Sequence, residues 1–262
     1  MTDHPAPKHA VRAAFDKAAD GYDAVATVQR AACDRLLSLA IDAAAARPAF
    51  APRRILDAGC GTGYALPGLA RAFPAAELIA LDFAPAMLRR HPPGLARALC
   101  ADLEHLPIAD GSLDAIWSSY ALQWCTPQRA LPALARSLRG GGQLWIATLG
   151  PGTLAELRDA FREVDDDEHV LRFEPPQALV DAAEAAGLRL IGSRRETLRA
   201  WAPDLRSLLA DIKTLGAHQT GARRHPLGKS AWAALGAAYE KHRGPAGLPA
   251  SYDTFWLVAE KG

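Results

Sequence analysis

The sequence predicts an α/β fold built on a parallel sheet with both faces covered. Three observations point there: strand-like and helix-like segments alternate from Arg54 to Thr148, the first strand runs straight into a glycine-rich turn, and an aspartate closes the second strand. With 262 residues, half of them hydrophobic, the chain suits one large α/β domain or a domain with an elaborated second half, and either buries a proper core.

From His9 to Ala46 the apolar positions recur at helical spacing in an alanine-rich stretch, which predicts one or two helices ahead of the core. Pro48 and Pro52 end this arm. A strand over Arg54 to Ala58 follows, then a helix around Ala65 to Phe73, a strand over Leu78 to Asp82 and a helix around Pro85 to Arg90. Further strands are predicted near Arg97 to Ala101, at Leu113 to Ser118, and at Gln143 to Thr148 after a turn at Gly140, Gly141 and Gly142. Beyond Gly150 helices dominate: Thr153 to Val164, Gln177 to Ala186, Leu205 to Leu215 and Ser230 to Arg243. Two strands interrupt them, Leu188 to Leu198 and Tyr252 to Glu260. The last alternates Phe255, Leu257 and Ala259 with Thr254, Trp256 and Val258, so both its faces are expected to be covered.

Composition removes several function classes. A net charge of +1 provides no global field to recruit nucleic acid, and no apolar run approaches membrane-spanning length. The first residues lack the apolar core of an export signal, so a cytoplasmic protein is expected, a monomer without nucleic-acid or membrane partners. Cys33, Cys60, Cys100 and Cys125 lack the paired spacing of a zinc site or a disulfide framework; no metal is expected, and the thiols are read as reduced and mostly buried.

Residues Ile55 to Gly63 read Ile-Leu-Asp-Ala-Gly-Cys-Gly-Thr-Gly. Gly59, Gly61 and Gly63 permit a sharp turn and let backbone N–H groups approach a ligand. A dinucleotide-binding turn needs a third glycine where Tyr64 stands, which argues against a nicotinamide cofactor. Asp82 ends the second strand nineteen residues after Gly63, where a carboxylate can accept both hydroxyls of a ribose; it is also placed to cap the helix that Pro85 opens. Asp102, at the end of the third strand, can accept from an exocyclic amine or serve as an ordinary loop aspartate.

The glycine turn, with Asp57 two residues before it, resembles motif I of the class I methyltransferases. Ser118 through Cys125 resembles the Trp-Ser-Asn-x-Ala-x-Gln-Trp-Cys segment of the malonyl-[acyl-carrier protein] O-methyltransferases of biotin synthesis, with Ser119 in place of Asn. Phe15, Ala18, Ala19, Tyr22, Ala26 and Gln29 match that family's N-terminal pattern, as do Arg172, Phe173, Pro175 and Pro176, and Lys213, Gly216 and Ala217 further on. The resemblance implies a Rossmann-like class I methyltransferase fold, a seven-stranded, mostly parallel sheet with an antiparallel last strand. It divides the chain into a helical arm and lid over 1–52, a cofactor core over 53–150, and helical insertions with strands six and seven over 151–262.

The same resemblance implies S-adenosylmethionine as methyl donor and S-adenosylhomocysteine as product. It places Asp57, the three glycines and Ser118 at the cofactor, Asp82 on its ribose, and Asp102 and the Leu103 amide on its adenine. Tyr22 and Gln29, seven apart, share a face if one helix carries both, and the family suggests that they close over the cofactor; Tyr22 as a core aromatic is the plainer use. The implied acceptor is the free carboxylate of a malonyl thioester on acyl-carrier protein or coenzyme A. A carboxylate entering a dry site needs a cation, for which Arg172, Lys213 and His218 are candidates. A basic patch from Arg194, Arg195 and the run containing Arg223 and Arg224 is a candidate dock for the acidic carrier. The competing readings are a methyltransferase for another small carboxylate or natural product, and a module that binds the cofactor without turnover.

Overall fold

The computed structural model describes residues 7–215 and 227–262; His218, Arg223 and Arg224 lie outside the described residues. Among the described residues the strands are β1 (Arg54–Ala58), β2 (Glu77–Asp82), β3 (Arg97–Cys100), β4 (Leu113–Ser119), β5 (Leu138–Leu149), β6 (Leu188–Ala202) and β7 (Leu248–Lys261). They form one sheet in the order β3-β2-β1-β4-β5-β7-β6. The first five pair in parallel, and β7 enters antiparallel between β5 and β6. Because β1 pairs with β2 on one side and β4 on the other, the chain reverses its winding there, and a crevice opens beyond the C-terminal ends of these strands.

Strand alternation sorts the core into two layers. Leu56, Ile116, Ile146 and Leu257 point to one face, where α6 (Pro127–Ser137) and α8 (Pro176–Ala185) bury Leu131, Leu134 and Leu179 against them. Ile55, Trp117, Trp145 and Trp256 point to the other face. There α3 (Thr27–Ala45), α4 (Leu66–Ala72), α7 (Ala155–Arg162), α9 (Leu205–Thr214) and α10 (Lys229–Glu240) contribute Leu36, Leu69, Leu157, Leu208 and Leu235. Helix α3 buries Val28, Ala32, Leu36 and Ala40, one stripe at four-residue steps. The indole N–H of Trp256 donates to the Ala32 carbonyl at 3.0 Å and ties β7 to that helix. Residues Leu248 to Ala259 of β7 are buried throughout, as their composition requires of a strand covered on both faces.

Three sequence expectations change. The helical arm is three pieces, α1 (Lys8–Ala18), α2 (Tyr22–Val25) and α3, because the chain turns at Ala19 to Gly21 and Ala26 leaves helical backbone with ψ of 40°. The glycines at 140–142 do not precede β5 but lie within it; Gly141 has φ of +73°, and the β4 register slips between Leu113 and Ala115 to absorb the irregularity. The helix expected over Pro85 to Arg90 is the single turn α5 (Pro85–Leu88). Among the described residues no helix is long and apolar enough to cross a membrane.

Candidate active site

A cavity partly open to solvent lies where β1, β2, β3 and β4 end. Its floor is the glycine turn. Gly59 has φ of +83°, and a Cβ there would stand 2.2 Å from the Ala121 Cβ, so only glycine lets the loop lie against the exit of β4. The amides of Gly59 and Cys60 donate to the Leu81 carbonyl at 2.8 and 2.9 Å, locking the loop to β2. Thr62 at its crest donates to Asp23 Oδ1 at 2.7 Å and ties the loop to α2.

Four acidic side chains line this cavity: Asp23 on α2, and Asp57, Asp82 and Asp102 at strand ends. Asp57 is only 2% exposed and its Oδ2 has no hydrogen-bond partner. Burial, reinforced by the charge of Asp82, pushes its carboxyl up to about 8. Asp82 accepts from the Gly61 amide at 2.9 Å and the Ala84 amide at 2.8 Å, so it serves both the loop and the turn leading into α5. Burial raises its pKa, and those two amides oppose the rise. Asp102 caps the 3₁₀ turn Leu103–His105 by accepting from the Glu104 amide at 3.0 Å, while Leu103 is buried in the cavity wall. Burial would raise the Asp102 carboxyl, but the Lys8 ammonium and the Glu104 amide hold it below the usual carboxylate range.

Tyr22 and Gln29 both line the cavity, although from two helices rather than one. Ser118 does not line it. Its hydroxyl donates to the Ala58 carbonyl at 2.9 Å and joins β4 to β1. Alternation turns its neighbours Trp117 and Ser119 to the cavity instead, so Ser119 stands where Ser118 was expected. Next to it Tyr120 adopts φ of +52°, held by its amide on the Ala147 carbonyl, by Gln123 on its own carbonyl, and by its hydroxyl 2.5 Å from Thr254 Oγ1. This bend turns the chain across the mouth of the sheet, where Trp124 meets Phe15 edge-on at 5.5 Å.

Of the candidate acceptor cations, the two among the described residues, Arg172 and Lys213, are not brought in. Arg172 is 85% exposed, pairs with Glu168 four residues earlier, and does not line the cavity. Lys213 sits on the exposed side of α9. Among the described residues the cations lining the cavity are Lys8 and Arg30, neither of which the sequence reading singled out. Lys8, Phe15, Tyr22 and Gln29 stand at successive seven-residue steps, a spacing that was available in the sequence. Arg194 and Arg195, candidates for a carrier dock, are paired with Glu196 and Asp253.

Cys33, Cys60 and Cys125 also line the cavity, and burial raises all three thiols, Cys33 and Cys125 to about 12, so they stand protonated. Of the four cysteines, expected to be mostly buried, Cys60 is buried, Cys33 and Cys125 are half-buried and Cys100 is exposed.

Residues 56–146 match the family model described as Methyltransferase domain. The chain is 44% identical over 256 residues to the malonyl-[acyl-carrier protein] O-methyltransferase of Dechloromonas aromatica, across 97% of this chain and 95% of that protein. It is 40% identical to the protein of the same name from Herminiimonas arsenicoxydans, across 97% and 96%. Geranyl diphosphate methyltransferase in complex with SAM shares the fold, with a TM-score of 0.53 at 15% identity over 89% of this chain and 85% of that one. On the near-full-length identity to its curated relatives, the chain belongs to the malonyl-[acyl-carrier protein] O-methyltransferase family.

Proposed function

We propose that this chain methylates the free carboxylate of a malonyl thioester carried on acyl-carrier protein, with S-adenosylmethionine as donor, yielding the malonyl methyl ester that primes pimeloyl synthesis for biotin. The near-full-length identity to proteins named for this activity carries the reading. The residues of the cavity fit the cofactor. Gln29 Oε1, Asp57 Oδ2, Trp117 Nε1 and Ser119 Oγ are buried around it without hydrogen-bond partners, the pattern of a site that awaits a polar ligand. Asp82 is the acceptor for the ribose hydroxyls, Asp102 and Leu103 face the adenine, and Asp57 with the glycine loop holds the amino-acid end.

When bound, S-adenosylmethionine supplies an electrophilic methyl group on a sulfonium centre. A malonyl carboxylate is ionised at neutral pH, with an ordinary pKa near 4, so the chain need supply no general base. Its own work is placement and exclusion of water. Phe15, Tyr22, Trp117, Tyr120 and Trp124 wall the cavity, and a dry wall favours a step in which opposite charges are neutralised. Burial raises the phenols of Tyr22 and Tyr120, so both remain protonated and act as hydrogen-bond donors and apolar surface, not as bases.

The test is mass spectrometry of malonyl-carrier protein, and in parallel malonyl-coenzyme A, after incubation with S-adenosylmethionine. One added methyl group, absent with the Asp82→Ala variant, is the expected result. Methylation of free carboxylic acids alone would replace this reading with a small-molecule methyltransferase, and cofactor binding without turnover on any thioester would replace it with a binding module.

A further inference from the structure

Lys8 is anchored in a way that its position on an N-terminal helix does not require. Its Nζ lies 2.5 and 2.6 Å from the two carboxylate oxygens of Asp102 and 3.0 Å from Glu104 Oε2. The Glu104 side chain is 3% exposed and also accepts from the Thr126 amide at 2.6 Å. Moving the ammonium away would leave this buried carboxylate only the more distant Arg129 guanidinium, 3.9 Å from Oε2, as its cation. On the next turns of α1, Phe15 packs against Trp124 and Phe83, and Asp16 accepts from the Ala86 amide at 2.9 Å. Lys8 is therefore held from both ends, by its acidic partners and by its helix.

We propose that Lys8 positions Asp102 to select the adenine amine of the cofactor, by filling the hydrogen-bond places of that carboxylate until one remains. The inference rests on the cofactor reading above. A carboxylate offers about four acceptor places. Oδ1 of Asp102 takes Lys8 and the Glu104 amide, and Oδ2 takes Lys8. His105 Nδ1, at 3.7 Å from Oδ2, is beyond hydrogen-bond reach. The place left on Oδ2 belongs to a side chain that lines the cavity, and it accepts a donor such as an exocyclic amine while repelling a carbonyl oxygen. Without Lys8 the Glu104 amide on Oδ1 is the remaining restraint, the carboxylate turns more widely about its Cα–Cβ and Cβ–Cγ bonds, and its selectivity for an amine falls. The lowered Asp102 and raised Lys8 pKa values agree with a tight ionised pair.

The experiment is calorimetric titration with two ligands that differ at purine position 6, S-adenosylhomocysteine with an amine and S-inosylhomocysteine with a carbonyl. The proteins are wild type, Lys8→Met, Lys8→Arg, Asp102→Asn and the Lys8→Met/Asp102→Asn pair. Lys8→Met is expected to weaken S-adenosylhomocysteine by about tenfold, the scale of one hydrogen bond to a charged group, and to leave S-inosylhomocysteine within about twofold. In the Asp102→Asn background it should add nothing. Lys8→Arg keeps the charge and the fold but displaces the donors, and should lose part of the discrimination. Equal weakening of both ligands by Lys8→Met would reduce Lys8 to a fastener of α1 and overturn the proposal, as would unchanged affinity for S-adenosylhomocysteine. Failure of the wild-type chain to bind S-adenosylhomocysteine would overturn the cofactor reading itself.

Discussion

Asp57 and Asp82 end neighbouring parallel strands, and the charge of one falls on the other inside a buried site. Burial first and Asp82 second lift the Asp57 carboxyl from an ordinary 3.8 to about 8. A carboxyl with a folded-state pKa above its unfolded value costs nothing when both states are protonated. Its cost grows as pH rises above the unfolded pKa and is complete above the folded one. The stability of Asp57→Asn relative to wild type should therefore rise between about pH 4 and pH 8 and hold above it, by an amount of about 1–3 kcal/mol. Melting curves for both proteins across that range decide it; a difference that does not change with pH removes Asp57 as the cause.

Cofactor binding should report the same group. If the ammonium of S-adenosylhomocysteine pairs with Asp57, the carboxyl must ionise on binding, and a fraction of a proton is released at neutral pH. Calorimetry in buffers of different ionisation enthalpy measures it, and Asp57→Asn should abolish the release.

Gly59→Ala places a methyl group 2.2 Å from the Ala121 side chain in a backbone with φ of +83°. The loop must shift, which costs about 1–3 kcal/mol and disturbs the Gly61 amide on Asp82. A folded variant by circular dichroism that has lost most of its affinity for S-adenosylhomocysteine is expected. Wild-type affinity would mean that the loop does not need this geometry.

Arg172→Ala should leave steady-state kinetics within about twofold, because an exposed pair of this kind is worth at most about 1 kcal/mol and does not reach the cavity. Arg30→Ala is the contrasting case. Arg30 lines the cavity beside the glycine loop, donates to the Asp23 carbonyl and lies over the Tyr64 ring, its guanidinium 5.6 Å from the ring centroid. Its loss should weaken S-adenosylhomocysteine by about tenfold. A changed KM for the thioester in Arg172→Ala, with cofactor affinity intact, would return Arg172 to the acceptor site.

The placing of Asp57, Gly59, Asp82 and Asp102 around one cavity was legible because these residues sit at positions that local geometry marks. Asp57, Gly59, Asp82 and Asp102 each stand at or just beyond a strand end, and alternating hydrophobicity locates those ends. Ser118 was misplaced by one residue although the same alternation, carried one step past Trp117, puts Ser119 on the cavity face. The acceptor half was not legible in this way. Arg172 and Lys213 carry the right charge, but charge does not state which surface a loop or helix presents.

Spacing along the chain was sufficient for the sheet, its glycine turn and its ring of acids, since strand period and turn chemistry depend on near neighbours. Closure in space was required for the rest. Lys8 and Asp102 lie 94 residues apart, and neither position marks the other. They meet because the arm breaks at Ala19 to Gly21 and folds back across the strand ends, where Phe15 finds Trp124 and a buried Glu104 fixes the ammonium. Pairings of that kind depend on which segments share a wall, a property of the packed core rather than of any window of sequence.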